Sequence, residues 1–314
     1  MIENDELVHA LKEGLHEHGS KVEWVEGEIQ SISNEAYSHC SVGLKECTVE
    51  TRLLVGSDGN RSKVRELNGI ANYGWKYNQK AIACTLEMDG LREENNNQAY
   101  QIFHDDHILG ILPLWGNYLS IVWSLALPDF EHAMTLDESA FVDTLNGLIQ
   151  RTNAAHSHDK EYKQIGRIKG LANKRLAFPL ASTQVEHYTK HRLALIGDAA
   201  HSVHPMAGLG VNSGIIDAAL LANNAINNLR TGNDIGEAIS LEGFQSQSRA
   251  MNVGNAVAIE ALKKGMQSSL GPLDHLRRNV LESLQGNDEL KSMMRGLVAN
   301  NPLVDLPRYE WESM

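Results

Sequence analysis

The run RLALIGDAAHSVHPMAGLGVNSGIID, from Arg192 to Asp217, decides the fold. Four apolar residues, Leu193 to Ile196, stop at Gly197, the pattern of a short buried strand. Asp198 follows at the carboxyl end, where open α/β sheets bind ligands. Next comes a loop holding Pro205, Gly208 and Gly210. Glycine there lets the backbone approach a flat ligand with no side chain in the way. From Val211 and Asn212 the chain turns into an almost wholly apolar helix, expected over 211–229. Free N–H groups at such a helix start, at the positive end of the macrodipole, suit an anion or a developing negative charge. A plain strand-to-helix turn capped by an aspartate satisfies the same pattern.

Upstream, LVGSDGNRSKVR (Leu54 to Arg65) repeats the arrangement. The apolar run Thr51–Val55 reads as a buried strand, Gly56 ends it, Asp58 lies just beyond, and Arg61 and Ser62 stand at the mouth of a helix over 62–67. Taken alone, Asp58-Gly59 is a turn signal. Between the two strand–glycine–helix units the texture changes to strand-like alternation at Lys80–Glu87, Ala99–Phe103, Ile108–Leu112 and Tyr118–Leu125. One amphipathic helix, Leu136–Ile149, and a strand at Leu176–Leu180 complete this block. Ahead of it, Leu7, Leu11 and Leu15 repeat at helical spacing from Asp5, a candidate cap, and strands are expected at Val22–Ile32 and Ser41–Glu50. After Gly210 the chain is helical: 211–229, 235–266, and a last pair between Leu273 and Val298. This order implies a mixed α/β fold, α+β with two domains, in which a β-rich piece is inserted into a layered one.

The chain has 314 residues, 28 Lys+Arg against 40 Asp+Glu, and a net charge of −12. Phosphate binding needs a basic face, so nucleic acid is not an expected partner. No apolar run approaches the roughly 20 residues of a membrane-spanning helix, and no targeting peptide is expected in the opening residues. Cys40, Cys47 and Cys84 are sparse, odd in number and without a CxxC, so they read as reduced thiols. His201 and His204 are three apart, but no carboxylate–histidine set converges near them in sequence, and no metal is expected. His9, His16, His18, His187 and His191 stand in polar surroundings and read as solvated. Tyr77, Trp115 and Trp123 line a substrate cavity or simply fill the core of their strands.

Together the two glycine-centred motifs resemble those of the flavin-dependent aromatic hydroxylases with the p-hydroxybenzoate-hydroxylase fold, most of all their ubiquinone-biosynthesis branch. Gly56 to Arg65 is similar to that family's Asp-Gly motif and Gly197 to Asp217 to its Gly-Asp motif. Tyr77-Asn78-Gln79, Gln101–Phe103, Leu112–Leu114, Val122–Ser124 and Phe178–Leu180 resemble the strands between them. The resemblance implies an incomplete FAD-binding Rossmann-like domain, an inserted antiparallel substrate domain and C-terminal helices. The expected boundaries are 1–72 and 181–250 for the two FAD-binding parts, 73–180 for the substrate domain, and 251–314 for helices and tail. FAD is the implied cofactor. Asp198 would bind the ribityl chain and the Pro205 carbonyl would lie beside the isoalloxazine ring. Val211 and Asn212 would offer amides to the ring's N1–C2=O edge, with Gly197, Gly208 and Gly210 shaping the loop. Asp58 and Arg61 would lie near the pyrophosphate and the reductant. No catalytic side chain is implied: a flavin C4a-hydroperoxide would hydroxylate the ring of a polyprenylated phenol.

The family's third hallmark, a G-x-G-x-x-G after the first strand, is not in this sequence, and Leu209, Ser213 and Ser57 depart from the branch's usual residues. Three origins are expected for such a chain: a fragment of a complete hydroxylase, one half of a split protein, or a non-catalytic homologue serving as a quinone-binding or assembly subunit. Without that motif the chain alone is expected to bind FAD weakly or not at all. The implied partners are a polyprenyl-phenol or quinone intermediate, other ubiquinone-biosynthesis proteins, and NAD(P)H or a ferredoxin as electron donor. Leu262, Met266, Leu270 and Leu273, beside Lys263, Lys264, Arg277 and Arg278, would touch a membrane surface or pack on the flavin domain. The implied location is the matrix face of the mitochondrial inner membrane or a bacterial cytoplasm.

Overall fold

The computed structural model describes residues 4–17, 21–34, 36–89, 98–104, 107–158 and 162–267. Helix α1 (Asn4–Glu17) opens the chain and is followed by strands β1 (Ile29–Ser33), β2 (Cys40–Leu44), β3 (Thr48–Thr51) and β4 (Leu54–Gly56). A short helix α2 (Lys63–Leu67) leads into the long strand β5 (Asn72–Met88), then β6 (Tyr100–His104), β7 (His107–Pro113) and β8 (Tyr118–Ala126). Helices α3 (Leu127–Thr135) and α4 (Glu138–Ala155) precede β9 (Ile168–Leu171), β10 (Leu176–Val185), β11 (Thr189–Lys190), β12 (Leu193–Leu195) and β13 (His201–Ser202). Two helices close the described chain, α5 (Gly210–Arg230) and α6 (Ala238–Gln267).

The chain divides into two compact units. The first holds Met1–Glu26 and Lys76–Leu180, the second Gly27–Trp75 and Ala181–Met314, so β5 and β10 each pass from one unit to the other. In the first unit an antiparallel sheet runs β6-β7-β8-β5, with β9 also pairing β5. The β5–β8 register, Gln79↔Ala126 through Glu87↔Tyr118, sets side chains alternately on the two faces. Ile82, Cys84, Leu86, Trp123 and Leu125 thereby share one core with Phe130 of α3 and Phe141, Leu145 and Ile149 of α4. Burial pushes the Cys84 thiol up to about 12, against a weaker opposing pull from Arg175.

In the second unit β12 is the middle of a three-stranded sheet, β11-β12-β4, and its Leu193, Ala194 and Leu195 are all fully buried. Strand β4 lies parallel to it, with Leu54 opposite Leu193 and Gly56 opposite Leu195. Strands β1-β2-β3 form a separate antiparallel sheet. The core here joins Val64, Tyr188, Leu195, Leu220, Leu241 and Phe244.

Several expectations need correction. The helix expected over 136–149 is α4, which starts two residues later and runs on to Ala155, because Leu136 is extended and Asp137 caps α4 by accepting the Ala140 amide at 2.8 Å; α3, just before it, is not among the expected elements. Such a cap is worth about 1 kcal/mol, enough to fix where a helix starts. Val22–Ile32 is strand only from Ile29, and Ser41–Glu50 is two strands, β2 and β3, joined by a turn. Thr51–Val55 is not a fully buried strand: among the described residues β4 is paired on one side, and Val55 is 39% exposed. Asp5 lies in the first turn of α1, and Leu11 and Leu15 are exposed. The helices expected between 273 and 298 lie outside the described residues, as do His18, Leu270, Arg277 and Arg278.

Candidate functional site

The two glycine-centred motifs meet in the second unit because β4 and β12 run side by side and end at the same level. A side chain at Gly56 would have its Cβ 2.7 Å from Leu195 and 2.9 Å from Val64, so this end of the parallel pair admits only glycine. Beyond Gly56, Asp58 Oδ2 accepts the amides of Lys63 (2.7 Å) and Val64 (3.1 Å), at the start of α2. Burial works against the Asp58 charge, but hydrogen bonds from Ser62 and from the Val64 and Lys63 amides outweigh it and hold the carboxyl below its ordinary value. Ser62 caps the same helix through the Arg65 amide. Arg65 then crosses to the other motif, donating from Nη1 to the Ala199 carbonyl at 2.8 Å. Arg61 is exposed in the turn between them.

The second turn is organised differently. Gly197 takes φ +57° and packs against Gly214, whose Cβ, if present, would lie 3.4 Å from the Gly197 Cα. The turn is held from behind by Asp217, a fully buried carboxylate one helical face inside α5. Its Oδ2 accepts the Gly197 amide (3.0 Å) and His201 Nε2 (2.6 Å). Its Oδ1 accepts Ser248 Oγ and, at 3.1 Å, Asn252 Nδ2, both from α6. Four donors around a buried carboxylate satisfy a charge that would otherwise be very costly to bury. Tyr188 stacks on His201 with ring centroids 6.0 Å apart.

His204 is also buried, and its Nδ1 accepts the Met206 amide, so the ring is neutral with its proton on Nε2. Burial, reinforced by the charge of Lys263, holds His204 down to about 3. Lys263 is itself buried, which, of the two expectations for this segment, fits packing and not a membrane surface. Likewise His201 and His204 differ from the exposed His9, His16 and His187, while His191 is half-buried. Among the described residues no group of three or more His, Cys, Asp or Glu side chains is placed to hold a metal.

In front of this scaffold stand the residues the sequence singles out. Asp198 is exposed. Pro205 begins a single 3₁₀ turn that ends at Gly208, with φ +60°. Gly210, Val211 and Asn212 form the exposed first turn of α5, and Asn212 Nδ2 reaches back to the Gly208 carbonyl at 3.3 Å. Positions 208 and 210 have open space where a Cβ would project. The result is an exposed backbone face at the first turn of α5 beside the exposed carboxylate of Asp198.

The family described as an FAD binding domain matches residues 1–235, three quarters of the chain. Its relatives include the ubiquinone biosynthesis monooxygenase COQ6, mitochondrial, of Mus musculus, 30% identical over 325 aligned positions that cover 94% of this chain and 67% of the relative. This chain belongs to the FAD-binding monooxygenase family. The Homo sapiens COQ6 is 29% identical, over 94% of this chain and 69% of its own length. The chain thus spans about two thirds of these relatives. Among solved structures, the p-nitrophenol 4-monooxygenase PnpA of Pseudomonas putida DLL-E4 superposes with a TM-score of 0.69 at 16% identity, covering 95% of this chain and 71% of that one. The mixed α/β fold with antiparallel sheets and C-terminal helices is therefore that of FAD-dependent monooxygenases, and FAD is the family's cofactor.

Sequence reasoning did not find Ser248 or Asn252, and it named Arg65 and Asp217 only as motif residues without the parts they play. A signal existed for the last: Asp217 is the only charged residue between Asn212 and Arg230 in an apolar helix. Trp115, set beside Trp123 as a cavity residue, is 65% exposed in a turn, whereas Trp123 is buried in the first unit's core. Tyr77 is half-buried on β5.

Proposed function

We propose that this chain carries the flavin-handling turn of an FAD-dependent monooxygenase that hydroxylates a polyprenylated phenol in ubiquinone biosynthesis. The carrying observation is the bare cradle from Gly197 to Asn212, held in shape by Asp217 and matched in a chain about 30% identical to COQ6 proteins. Open space over Gly208 and Gly210 fits a flat ring system, and exposed amides at the start of α5 fit its acceptor edge. Asp198 would accept hydrogen bonds from ribityl hydroxyls, and Arg61 would meet the pyrophosphate or the reductant. Asp58, with one oxygen on its own helix, acts there mainly by fixing the direction of α2. When bound, FAD supplies the activation of O₂ that ring hydroxylation requires. The protein's contribution is to orient the ring, place positive helix dipole at its acceptor edge and keep water away from the reacting centre. The antiparallel sheet of the first unit would supply the substrate side. NAD(P)H or a ferredoxin would supply electrons. The COQ6 relatives are mitochondrial proteins, which supports a mitochondrial location, and the matrix face of the inner membrane would be the place for it; no described helix is long and apolar enough to cross a membrane.

Deleting the gene and profiling prenylated quinones tests this reading. Accumulation of a precursor lacking one ring hydroxyl is expected; an unchanged quinone profile overturns it.

A further inference from the structure

A cavity of about 470 Å³ is lined wholly by residues of the first unit, and the glycine turns described above take no part in it. It lies where the facing ends of β6 and β7 meet β8, α3 and α4. Its floor is apolar: Trp123 and Leu125 of β8, Ala133 of α3 and Leu148 of α4 are all buried. Helix α4 presents Thr144, Leu148 and Arg151 to it, spaced i, i+4 and i+7 along one helix face. The volume falls in the range of small-molecule sites, roughly 300–1,000 Å³.

The rim has a different chemistry. His104 and His107 stand directly opposite each other where β6 and β7 pair, and Asp105 and Asp106, which join them, lie outside the described residues. His107 Nε2 lies 3.0 Å from Asp129 Oδ2, in the first turn of α3. His132 follows Asp129 by one helical turn, and Arg151 closes the rim from α4. The titratable and charged residues lining the cavity are thus three histidines, one arginine and one aspartate, and that aspartate is engaged by His107. This balance is the reverse of the whole chain's, which carries a net charge of −12. Among the described residues, the guanidinium of Arg151 and the ring of His132 have no hydrogen-bond or ion-pair partner. The cluster is not placed to hold a metal. A guanidinium meets a carboxylate with two parallel N–H bonds, and histidine gains its charge between pH 8 and pH 5. Donors at the rim over an apolar floor favour an anionic head on an apolar body.

We propose that this cavity binds an organic carboxylate, its apolar body on Trp123 and Leu148 and its carboxylate facing Arg151 and His132 at the rim. The site owes nothing to the flavin cradle and stands or falls apart from the hydroxylase reading. Equilibrium dialysis of the full chain against 2-naphthoate, and against 2-naphthylmethanol as its neutral counterpart, tests it. At pH 6 the naphthoate is expected to bind about tenfold more tightly than the alcohol. That advantage should shrink several-fold at pH 8 as the histidines lose charge, with the alcohol unaffected. Arg151→Gln, at an exposed position, should remove most of the advantage and leave alcohol binding intact. Thr144→Trp fills the cavity from an exposed position whose hydroxyl bonds only to its own helix, and should weaken both probes at least about tenfold. No saturable binding of naphthoate, a preference that Arg151→Gln leaves in place, a preference equal at pH 6 and pH 8, or binding untouched by Thr144→Trp each overturns the proposal.

Discussion

The two strand–glycine–aspartate turns of this chain have the same sequence grammar, lie side by side, and use their aspartates in opposite ways. In the first, Asp58 turns back and takes two amides of its own helix, so the motif's acid builds the motif. In the second, the building is done from behind by Asp217, which gathers Gly197, His201, Ser248 and Asn252 and leaves Asp198 exposed in front. An acidic residue after a strand-ending glycine is therefore available to a ligand only where another group has taken over the structural work.

The strongest way to break this comparison is Asp217→Ala. Four donors from three segments lose their acceptor, and a cost of about 3–5 kcal/mol is expected in urea denaturation. A loss under about 1 kcal/mol would mean that the second turn holds itself. His204→Gln probes the same turn through pH. The folded protein keeps His204 neutral down to about 3, whereas the unfolded chain protonates near 6.5. The unfolded state thus binds more protons between these values, and wild-type stability should fall as pH drops through that window. The variant should be less acid-sensitive, by on the order of 3–4 kcal/mol between pH 6.5 and pH 3.5, read from denaturation midpoints across pH.

Smaller effects sharpen the contrast between the acids themselves. Asp58→Ala removes two capping bonds and should cost about 1–2 kcal/mol at pH 7. Because its folded value is lowered, that contribution is present above about pH 4 and disappears as pH falls through the folded value. Asp198→Ala should change stability by less than about 0.5 kcal/mol. Its signature belongs in FAD titrations followed by flavin fluorescence, where affinity should drop several-fold. Equal destabilisation by the two substitutions would erase the distinction.

What the sequence made legible follows from locality. A strand stopped by glycine, a Pro/Gly loop and an apolar helix are each encoded within a few residues, and all three stand where expected between Leu193 and Arg230. The helix α2 and its serine cap were equally local. Less legible were features set by partners distant in sequence. That Val55 is exposed depends on which side of β4 is paired, and that Lys263 is buried depends on α6 lying against the His204 loop. Asp217 was visible as part of a pattern, but its partners Ser248 and Asn252, 31 and 35 residues on, were not. The start of α4 is an exception: its signal, Asp137 before Ala140, was local and was outweighed by the apolar period that includes Leu136.

Arg192, the first residue of the decisive stretch, carries a consequence for how the chain acquires its structure. Fully buried and with φ +58°, it donates to the carbonyls of Tyr37 and Arg52, 155 and 140 residues earlier, and pairs with Asp234, whose carboxyl it holds far below the ordinary range. Everything from Lys76 to Leu180 lies inside the loops that these bonds close. Closing a loop costs more entropy the longer it is, though only about 0.6 kcal/mol per doubling. That penalty is smallest once the intervening unit has collapsed and shortened the effective loop. During synthesis, residues 27–75 must therefore wait, unpaired with their later half, until the ribosome has passed Asp234. Protection of the Leu54 amide, which bonds the Arg192 carbonyl, should consequently appear late in pulse-labelled refolding.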